Sequence, residues 1–223
     1  IYGNFASATA IRKIIINHIS KENRNIDPLL EKLMPPQSIN ILEREFSSGS
    51  GPVFLNDFDR MALYTLRKME PSDIRELQDV SEGLENRIKK AATTQGTIDD
   101  MLHAVKTKRY TKTRLRRIVI HAMLCLKSQY LSKFEKHGGP GYIRILGFNA
   151  RGKKLLELMK RKSHLPLVPC PAGYNKDCSP LSLEMMKADI LATDLYMLAC
   201  PSPEMRKGGQ DYTRKPVTPD ILR

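Results

Sequence analysis

The sequence predicts a mainly α-helical protein, a helical bundle with a small α/β element towards the C-terminus. Apolar residues recur at helical spacing through most of the first 137 residues, and the short connections between these segments favour antiparallel neighbours in a bundle. Further along, two short apolar runs near 142–147 and 165–168 flank a basic helix. This order is typical of two parallel strands joined by a crossover helix.

The first elements are predicted to be helices separated by breaks. Ser7 or Thr9 can cap a first helix whose isoleucines recur on one face. Prolines interrupt residues 27–50, which predicts short helices followed by a surface connection of small residues. Asn56 or Asp57 can then cap the helix that follows.

The middle of the chain is predicted to be a run of helices with little between them. One covers residues 81–92, and Thr97 caps the next. A basic helix follows, and helical spacing predicts its buried face. The apolar residues of that face are Leu115, Ile118, Val119, Ala122, Met123 and Leu126.

The C-terminal part follows a glycine-rich turn at 138–141 and is predicted to begin with the α/β element. Asn149 caps its basic crossover helix, which runs to about Lys162. A loop over 169–180 leads to a helix over 183–199. The remaining tail is rich in proline, glycine and charge, so we expect it to be loosely held.

The composition is strongly basic. The 223 residues include 37 lysines and arginines against 24 acids, which gives a formal net charge of +13 and an isoelectric point near 9.7. Such an excess favours a polyanionic partner, and RNA or DNA fits better than an anionic membrane because tryptophan is absent. No apolar run is long enough to span a bilayer, and the first residues show no signal-peptide pattern, so a cytoplasmic protein is predicted. The four cysteines are scattered without a C-x-x-C pair, which predicts neither a disulfide framework nor a metal site.

The densest group of cations lies at 106–117, before and within the basic helix. Fixed lysines and arginines supply the sequence-independent part of nucleic-acid affinity, so this segment is predicted to bind RNA. Lys112 and Arg116 lie one turn apart on the polar side, and Arg109 joins them if the helix begins early enough. A solvated helix face explains the segment alone equally well. The predicted RNA-binding residues are Lys106, Lys108, Arg109, Lys112, Arg114, Arg116 and Arg117.

Two further cations stand at an unexpected place in the first helix. Arg12 and Lys13 lie in its first turns, at the positive end of the helix dipole, where cations are disfavoured. Their position indicates either an anion bound near this terminus or a frayed, solvated end.

The residues alone predict no self-contained active site. The sequence has no Walker phosphate loop, no G-x-G-x-x-G after a strand, no H-E-x-x-H and no Ser-His-Asp signature. The five histidines are spread apart, and the paired acids at 99–100 fit the opening turn of a helix. On these grounds the chain is a nucleic-acid-binding helical domain with no catalytic residue assigned.

Three segments together resemble the bacterial tRNA(Met) cytidine acetate ligase family, which is nucleotidyltransferase-like. They are residues 5–13 (FASATAIRK), residues 82–117, which end in KTKRYTKTRLRR, and residues 142–156, which begin with YIRILGF. The KTKRYT run is fairly specific, whereas the Ser-x-Thr-x-x-Arg element is shared by many nucleotidyltransferase-like proteins. The order of the segments fits, and the resemblance covers nearly the whole chain.

The resemblance implies a ligase that activates acetate with ATP as acetyl-adenylate and then acetylates the N4 amine of the wobble cytidine of elongator tRNA(Met). ATP and Mg²⁺ would be its cofactors and tRNA its partner, with no membrane partner and the oligomeric state left open. The resemblance places Arg12 in the ATP site with Lys13 beside it, and the Ser7 and Thr9 positions belong to the same motif. The basic helix would grip the tRNA backbone, which positions a substrate without identifying its sequence.

The family's His-x-Gly-His-type phosphate motif has no counterpart in this sequence. We therefore expect a C-terminal portion, inactive alone, that lacks the ATP-binding half in which ATP and Mg²⁺ are mainly bound. Residues 1–22 would be the tail end of the catalytic domain and a connecting helix, 23–137 the helical domain with the basic helix, and 138–223 the α/β subdomain, helix and loose tail. The alternative is a noncatalytic RNA-binding or assembly module, and a basic peripheral membrane protein is a third possibility.

Overall fold

The computed structural model describes residues 6–18, 26–173 and 178–218, and within these ranges the chain is mainly helical, as predicted. The first helices are α1 (Ala8–His18), α2 (Pro36–Ser47), α3 (Asp59–Lys68), α4 (Pro71–Arg75) and α5 (Leu84–Thr94). They are followed by α6 (Ile98–Val105), α7 (Lys112–Met123), α8 (Ser128–Lys136), α9 (Ala150–Lys162) and α10 (Pro180–Leu198). Two short strands, β1 (Ile143–Arg144) and β2 (Leu167–Val168), lie on either side of α9.

The contacts within the chain divide it into two units. One combines Ile1–Phe54 with Tyr196–Lys207, and the other combines Leu55–Leu195 with Gly208–Arg223. The domain limits expected from the sequence, at residues 22 and 137, stay a prediction. None of the helices in the described ranges combines the length and the apolar character that crossing a membrane requires.

The first unit is built around α1 and α2. Its buried core residues are Ile15, Leu30, Ile39 and Phe46, and partly buried isoleucines of α1 pack against them. Pro36 occupies the first position of α2, where its missing N–H costs no helical hydrogen bond. The 196–207 segment is attached through Ser202, whose backbone N–H donates to the carbonyl oxygen of Gly49 at 3.1 Å.

The helical core of the second unit is formed by α3, α5, α6 and α7, which pack against one another. Each helix contributes an apolar stripe to this core, so the predicted helical bundle is found here, while the antiparallel direction of its neighbours stays a prediction. Arg67 of α3 donates to the carbonyl oxygens of Ala92 and Gln95 at 2.7 and 2.9 Å, which satisfies carbonyls at the end of α5. The fully buried members of this core include Leu66, Ile88, Ala92, Ile98, Met101, Leu102, Leu115 and Ile118.

The predicted strand–helix–strand unit is confirmed. β1 and β2 pair in parallel, with Ile143 opposite Leu167 and Arg144 opposite Val168, and α9 is the crossover between them. Asn149 caps α9, because its Oδ1 accepts from the backbone N–H of Gly152 at 2.9 Å. The small core under this element consists of Tyr142, Val168, Met186 and Ile190, the last two from α10.

The limits of the basic helix differ from the prediction. Thr111 is the N-cap of α7, and its Oγ1 accepts from the backbone N–H of Arg114 at 3.3 Å. Arg109 therefore precedes the helix instead of extending it. At the other end α7 stops at Met123, so Leu126 lies outside, and Cys125 has a left-handed φ of 53° that helical backbone does not adopt.

The cap of α3 and the presence of α8 also differ from the prediction. Neither Asn56 nor Asp57 is the cap of α3, because residues 55–58 form a 3-10 turn and Phe58 holds the cap position. α8 is an element that the sequence pattern did not predict, and none of its residues is buried. Its apolar residues Tyr130, Leu131 and Phe134 do recur at helical spacing, so the sequence carries a signal for this helix.

The described part of the C-terminal tail makes more hydrogen bonds than a loosely held tail implies. Phe148 donates its N–H to the carbonyl oxygen of Val217 at 3.0 Å, and Val217 donates to that of Leu146 at 2.9 Å. Gly209 donates its N–H to Oδ1 of Asp194 at 2.7 Å. The tail thus adds a third piece of chain to the edge of the α/β element.

Candidate nucleic-acid interface

The predicted RNA-binding segment lies where α6 passes into α7 through residues 106–111. The apolar side of α7 is buried, and the helix packs against α3 and α6. Its buried residues are Leu115, Ile118, Val119 and Ala122. Burying a leucine or isoleucine side chain contributes about 1.5–3 kcal/mol, so this face ties the helix firmly to the core. The charged residues on its other sides are therefore carried by a rigid element.

The residues between the two helices form a closed turn. Thr107 donates its N–H to the carbonyl oxygen of Tyr110 at 3.3 Å, and Tyr110 donates its N–H to Oγ1 of Thr107 at 3.1 Å. The Tyr110 side chain is buried at 5% exposure. The guanidinium carbons of Arg109 and Arg114 lie 5.6 and 5.5 Å from its ring centroid, which is cation–π distance. One buried ring therefore helps to position two of the predicted RNA-binding residues.

Lys112 is held by an acid from α6. Its Nζ lies 2.7 Å from Oδ1 of Asp99 and 3.1 Å from Nε2 of His103. The hydrogen bond from Lys112 holds the pKa of Asp99 below its usual value; burial opposes this shift, and the positive charges of Lys112, His103 and Arg116 support it. Asp99 is therefore ionised at neutral pH and offsets much of the charge that Lys112 presents to a ligand.

Arg114 and Arg117 are both held by Asp79, in the connection that precedes α5. Arg114 donates from Nε and Nη2 to the carbonyl oxygen of Asp79 at 2.8 and 2.6 Å. Arg117 donates from Nε to Oδ2 of Asp79 at 3.0 Å, and its Nη2 lies 2.8 Å from the same oxygen. Asp79 has a φ of 69°, a left-handed conformation that Asp tolerates better than most residues. The two arginines hold this loop against α7.

The other four predicted residues remain available to a ligand. Lys106, Lys108, Arg109 and Arg116 are exposed, and within residues 6–18, 26–173 and 178–218 the structure records no ion pair for them. Arg109 and Arg116 can each grip a phosphate with two N–H groups, which lysine cannot do. Ammonium and guanidinium groups donate hydrogen bonds and accept none, so these side chains suit the binding of anions.

Glu85 is a buried acid that the sequence pattern did not single out. Arg75 of α4 donates to its Oε1 from Nε at 3.2 Å and from Nη2 at 2.7 Å. The Glu85 side chain is 1% exposed, and its Oε2 has no hydrogen-bond partner among the described residues. The hydrogen bond from Arg75, with help from backbone N–H groups, holds the pKa of Glu85 below its usual value against the opposing effect of burial. An acid in the first turn of a helix usually interacts favourably with the helix dipole, so Glu85 shows no sign of this pairing in the sequence pattern.

The predicted ATP-binding residues lie at the start of α1, in the first unit. Oγ of Ser7 accepts from the backbone N–H of Ala10 at 3.3 Å, so Ser7 acts as the cap. Thr9, Arg12 and Lys13 are exposed, and the first turn of α1 holds no acid. Both cations are thus open to an anion, and their role in an ATP site stays a prediction.

A family model described as HIGH Nucleotidyl Transferase matches residues 1–211. The chain belongs to this family. Among the curated relatives of this chain, the tRNA(Met) cytidine acetate ligase of Acetivibrio thermocellus is 42% identical over 214 residues, which are 96% of this chain and 51% of the relative. The ligase of the same name from Caldanaerobacter subterraneus subsp. tengcongensis is 39% identical over 197 residues, covering 88% of this chain and 46% of the relative. The chain spans about half the length of the curated relatives it matches.

Two crystal structures of Thermotoga maritima TmcAL share the fold. The form bound with alpha-thio ATP superposes with a TM-score of 0.88 at 33% identity, covering 98% of this chain and 53% of that chain. The apo form superposes with a TM-score of 0.87 at 33% identity, and the alignment covers 98% of this chain and 52% of the apo chain. The family resemblance predicted from the sequence is confirmed. The expectations that the chain lacks an ATP-binding half and is inactive alone stay predictions.

Proposed function

We propose that this chain provides the tRNA-binding part of a ligase that acetylates the wobble cytidine of elongator tRNA(Met). The two relatives are tRNA(Met) cytidine acetate ligases, which supports a ligase reaction on a cytidine of tRNA(Met). The observation that carries the binding role is the set of exposed cations on a rigid element at 106–117. Phosphate contacts of this kind supply affinity and register, while the choice of base is made by other contacts.

Within this interface the seven cations divide by role. Lys106, Lys108, Arg109 and Arg116 are proposed to contact phosphates because they face solvent. The remaining three, Lys112, Arg114 and Arg117, are engaged by Asp99 and Asp79 and shape the surface from which the others project. Those three add to the local positive potential, which falls off within roughly 10 Å at 0.1 M salt.

The start of α1 is proposed to contribute to the ATP site through Ser7, Thr9, Arg12 and Lys13. Thermotoga maritima TmcAL has been crystallised with bound alpha-thio ATP, which supports a nucleotide-binding site in this chain's family. A helix start with exposed cations and no acid fits the oxygens of a triphosphate. A magnesium ion that accompanies ATP would be held mainly by phosphate oxygens and water, so it needs few protein ligands.

In the proposed reaction, an oxygen of acetate attacks the α-phosphorus of ATP and pyrophosphate leaves. The N4 amine of cytidine then attacks the acetyl carbonyl carbon, loses a proton, and displaces AMP. Arg12 and Lys13 would stabilise the negative charge that grows on the departing pyrophosphate. We expect that the isolated chain does not catalyse acetate-dependent exchange between ATP and pyrophosphate. Exchange above background would contradict the expectation that this chain is inactive by itself.

The binding role is tested by the double reversal Arg109→Glu with Arg116→Glu. A matched control, Lys90→Glu with Lys136→Glu, makes the same charge change on α5 and α8, where both lysines are exposed. Affinity for elongator tRNA(Met), an unrelated tRNA and duplex DNA is measured over a salt series. We expect the first variant to bind tRNA well over tenfold more weakly, with a salt slope that falls by roughly one for each lost phosphate contact. Unchanged binding by this variant, with its circular dichroism preserved, would exclude 106–117 as the tRNA interface.

A further inference from the structure

α9 is a second cationic surface and is more exposed than α7. None of its thirteen residues is buried, although Gly152, Leu156 and Met159 are half-buried on the side that faces the strands. Six of the thirteen are cations and Glu157 is the single acid. The six cations are Arg151, Lys153, Lys154, Lys160, Arg161 and Lys162.

These six cations are not neutralised by the protein. Within residues 6–18, 26–173 and 178–218, the structure records neither an ion pair nor a side-chain hydrogen bond for any of them. The segment at 106–117 differs, because Lys112 and Arg117 are paired with the carboxylates of Asp99 and Asp79, and Arg114 is hydrogen-bonded to the carbonyl oxygen of Asp79. A cation already paired to a carboxylate gains less from a phosphate than a hydrated, unpaired one. α9 therefore offers more unpaired charge than the segment that the sequence singled out.

The cations of α9 also cover its exposed circumference. At about 100° per residue, Lys154 and Arg161 project together, Arg151 and Lys162 lie beyond them, and the remaining pair lies on the opposite flank. Along the axis they span roughly 16 Å, while one strand of a duplex presents a phosphate about every 3.4 Å. Several phosphates of one strand can therefore contact the helix at the same time.

The surroundings of α9 favour a nucleic acid over an acidic protein. Leu155 and Leu158 are 57% and 59% exposed and lie beside the half-buried Met159, so they form a small apolar patch on the flank whose two ends carry Arg151 and Lys162. A protein helix that covered the two leucines would leave the flank with Lys153 and Lys160 unmatched. That flank borders a cavity of about 670 Å³, lined in part by Phe148. A nucleic-acid strand, with a phosphate about every 3.4 Å, can contact the central pair Lys154 and Arg161 together with the cations of either flank.

We propose that α9 is a second RNA-backbone surface and holds a different part of the tRNA from the one held by 106–117. This inference rests on the proposed tRNA-binding function and deepens it by adding a separate site. It assigns a role to the basic crossover helix that the sequence showed without explaining. The small α/β element is then a means of presenting cations to RNA.

Lysine acetylation tests the site in the unaltered protein. The chain is treated with an acetylating reagent in the presence and absence of elongator tRNA(Met), and each lysine is quantified by mass spectrometry. We expect tRNA to slow modification of the four lysines of α9 at least threefold, while Lys90 and Lys136 are modified at unchanged rates. Equal rates at α9 with tRNA bound would overturn the inference. Protection of α9 by polyglutamate at concentrations where tRNA gives none would also overturn it, in favour of an acidic protein partner.

Charge reversal on α9 gives the energetic test. Lys154→Glu with Arg161→Glu is compared with the control Lys90→Glu with Lys136→Glu, since both pairs are exposed and change charge equally. We expect tRNA affinity to fall at least tenfold at 0.1 M salt and the salt slope to drop by roughly one to two, while the control changes less than threefold. The α9 variant could keep the salt slope of tRNA binding unchanged while the Arg109 and Arg116 variant lowers it. That result, in a folded α9 variant, would overturn the RNA-binding role of α9 and leave the role of 106–117 intact. Failure of the unaltered chain to bind any RNA would overturn the proposed function as well.

Discussion

The ion pair between Arg75 and Glu85 allows a sharp test of how α4 and α5 are held together. We consider Arg75→Met, which keeps an unbranched side chain of good helix propensity but removes the guanidinium. The variant leaves a carboxylate whose side chain is 1% exposed and whose Oε2 already lacks a partner among the described residues. Two hydrogen bonds to Oε1, at 3.2 and 2.7 Å, are lost.

The magnitude follows from the burial of one partner and the exposure of the other. Breaking a buried ion pair by removing one member costs about 3–5 kcal/mol, because the remaining charge is uncompensated. The Arg75 side chain is 64% exposed, so water screens part of its attraction and the lower end applies. We expect the free energy of unfolding to fall by about 3 kcal/mol at pH 7.

The pH dependence has a defined sign. In the unaltered chain the pKa of Glu85 lies below its ordinary value of 4.5, so the pair stabilises the fold above that pH and this contribution is lost as the pH falls through the folded-state pKa. In the variant the hydrogen bond and the charge of Arg75 are lost, so the pKa of Glu85 rises towards its ordinary value, while the backbone N–H groups still oppose the effect of burial. Protonation of Glu85 removes the unpaired charge, so the difference in the free energy of unfolding between the two proteins should be largest at pH 7 and should narrow as the pH falls through 4.5.

Urea unfolding followed by circular dichroism at several pH values measures this difference. Arg44→Met is the matched control, because its pair with Glu45 joins side chains that are 57% and 42% exposed, and it should cost no more than about 0.5 kcal/mol. Two results would refute a stabilising ion pair between Arg75 and Glu85. The first is a fall in the free energy of unfolding of less than about 1 kcal/mol for Arg75→Met at pH 7. The second is a fall of the same size at both ends of the pH range.

Two further substitutions probe backbone geometry. Asp79→Ala should lower the free energy of unfolding by about 1–2 kcal/mol, because alanine tolerates a φ of 69° poorly and the ion pair with Arg117 is lost. Asp79→Gly loses the same ion pair but adopts this φ readily, so it should be less destabilising. A lower melting temperature for the glycine variant than for the alanine variant would contradict this reasoning. Gly141→Ala should cost about 1–3 kcal/mol, because the new Cβ would lie 2.4 Å from Oγ and 3.1 Å from Cα of Ser182. Gly96→Ala, where a Cβ meets nothing within 4 Å, is the control and should be close to neutral; equal melting temperatures for both alanine variants would show that the 141 site relaxes freely.

Much of the fold could be predicted because local signals agreed with the packing. Thr97 and Asn149 stand directly before apolar or basic helical segments, and both accept the expected capping hydrogen bond. The parallel pairing of β1 and β2 followed from two apolar runs on either side of a helix. These features depend on residues close together in the sequence, where spacing and capping chemistry carry the information.

The sequence does not show which of the cations are bound by other residues and which face solvent. Arg114 and Arg116 look alike in the sequence, yet one is bound to the Asp79 carbonyl and the other faces solvent. Asp79 lies far from both along the chain, and its left-handed backbone has no signature beyond the residue type. Which charges are neutralised inside a protein depends on tertiary contacts, so a count of lysines and arginines overstates the charge that a partner meets.

The bridge at Val217 bears on how the protein is made. The edge of the α/β element joins residues 146–148 to a residue almost at the end of the described chain. A ribosome releases Val217 about 70 residues after Gly147, so this edge stays incomplete until Val217 has emerged, and contacts between residues distant in sequence form slowly. Until then the unpaired edge at 146–148 is open to other strands, including those of neighbouring nascent chains.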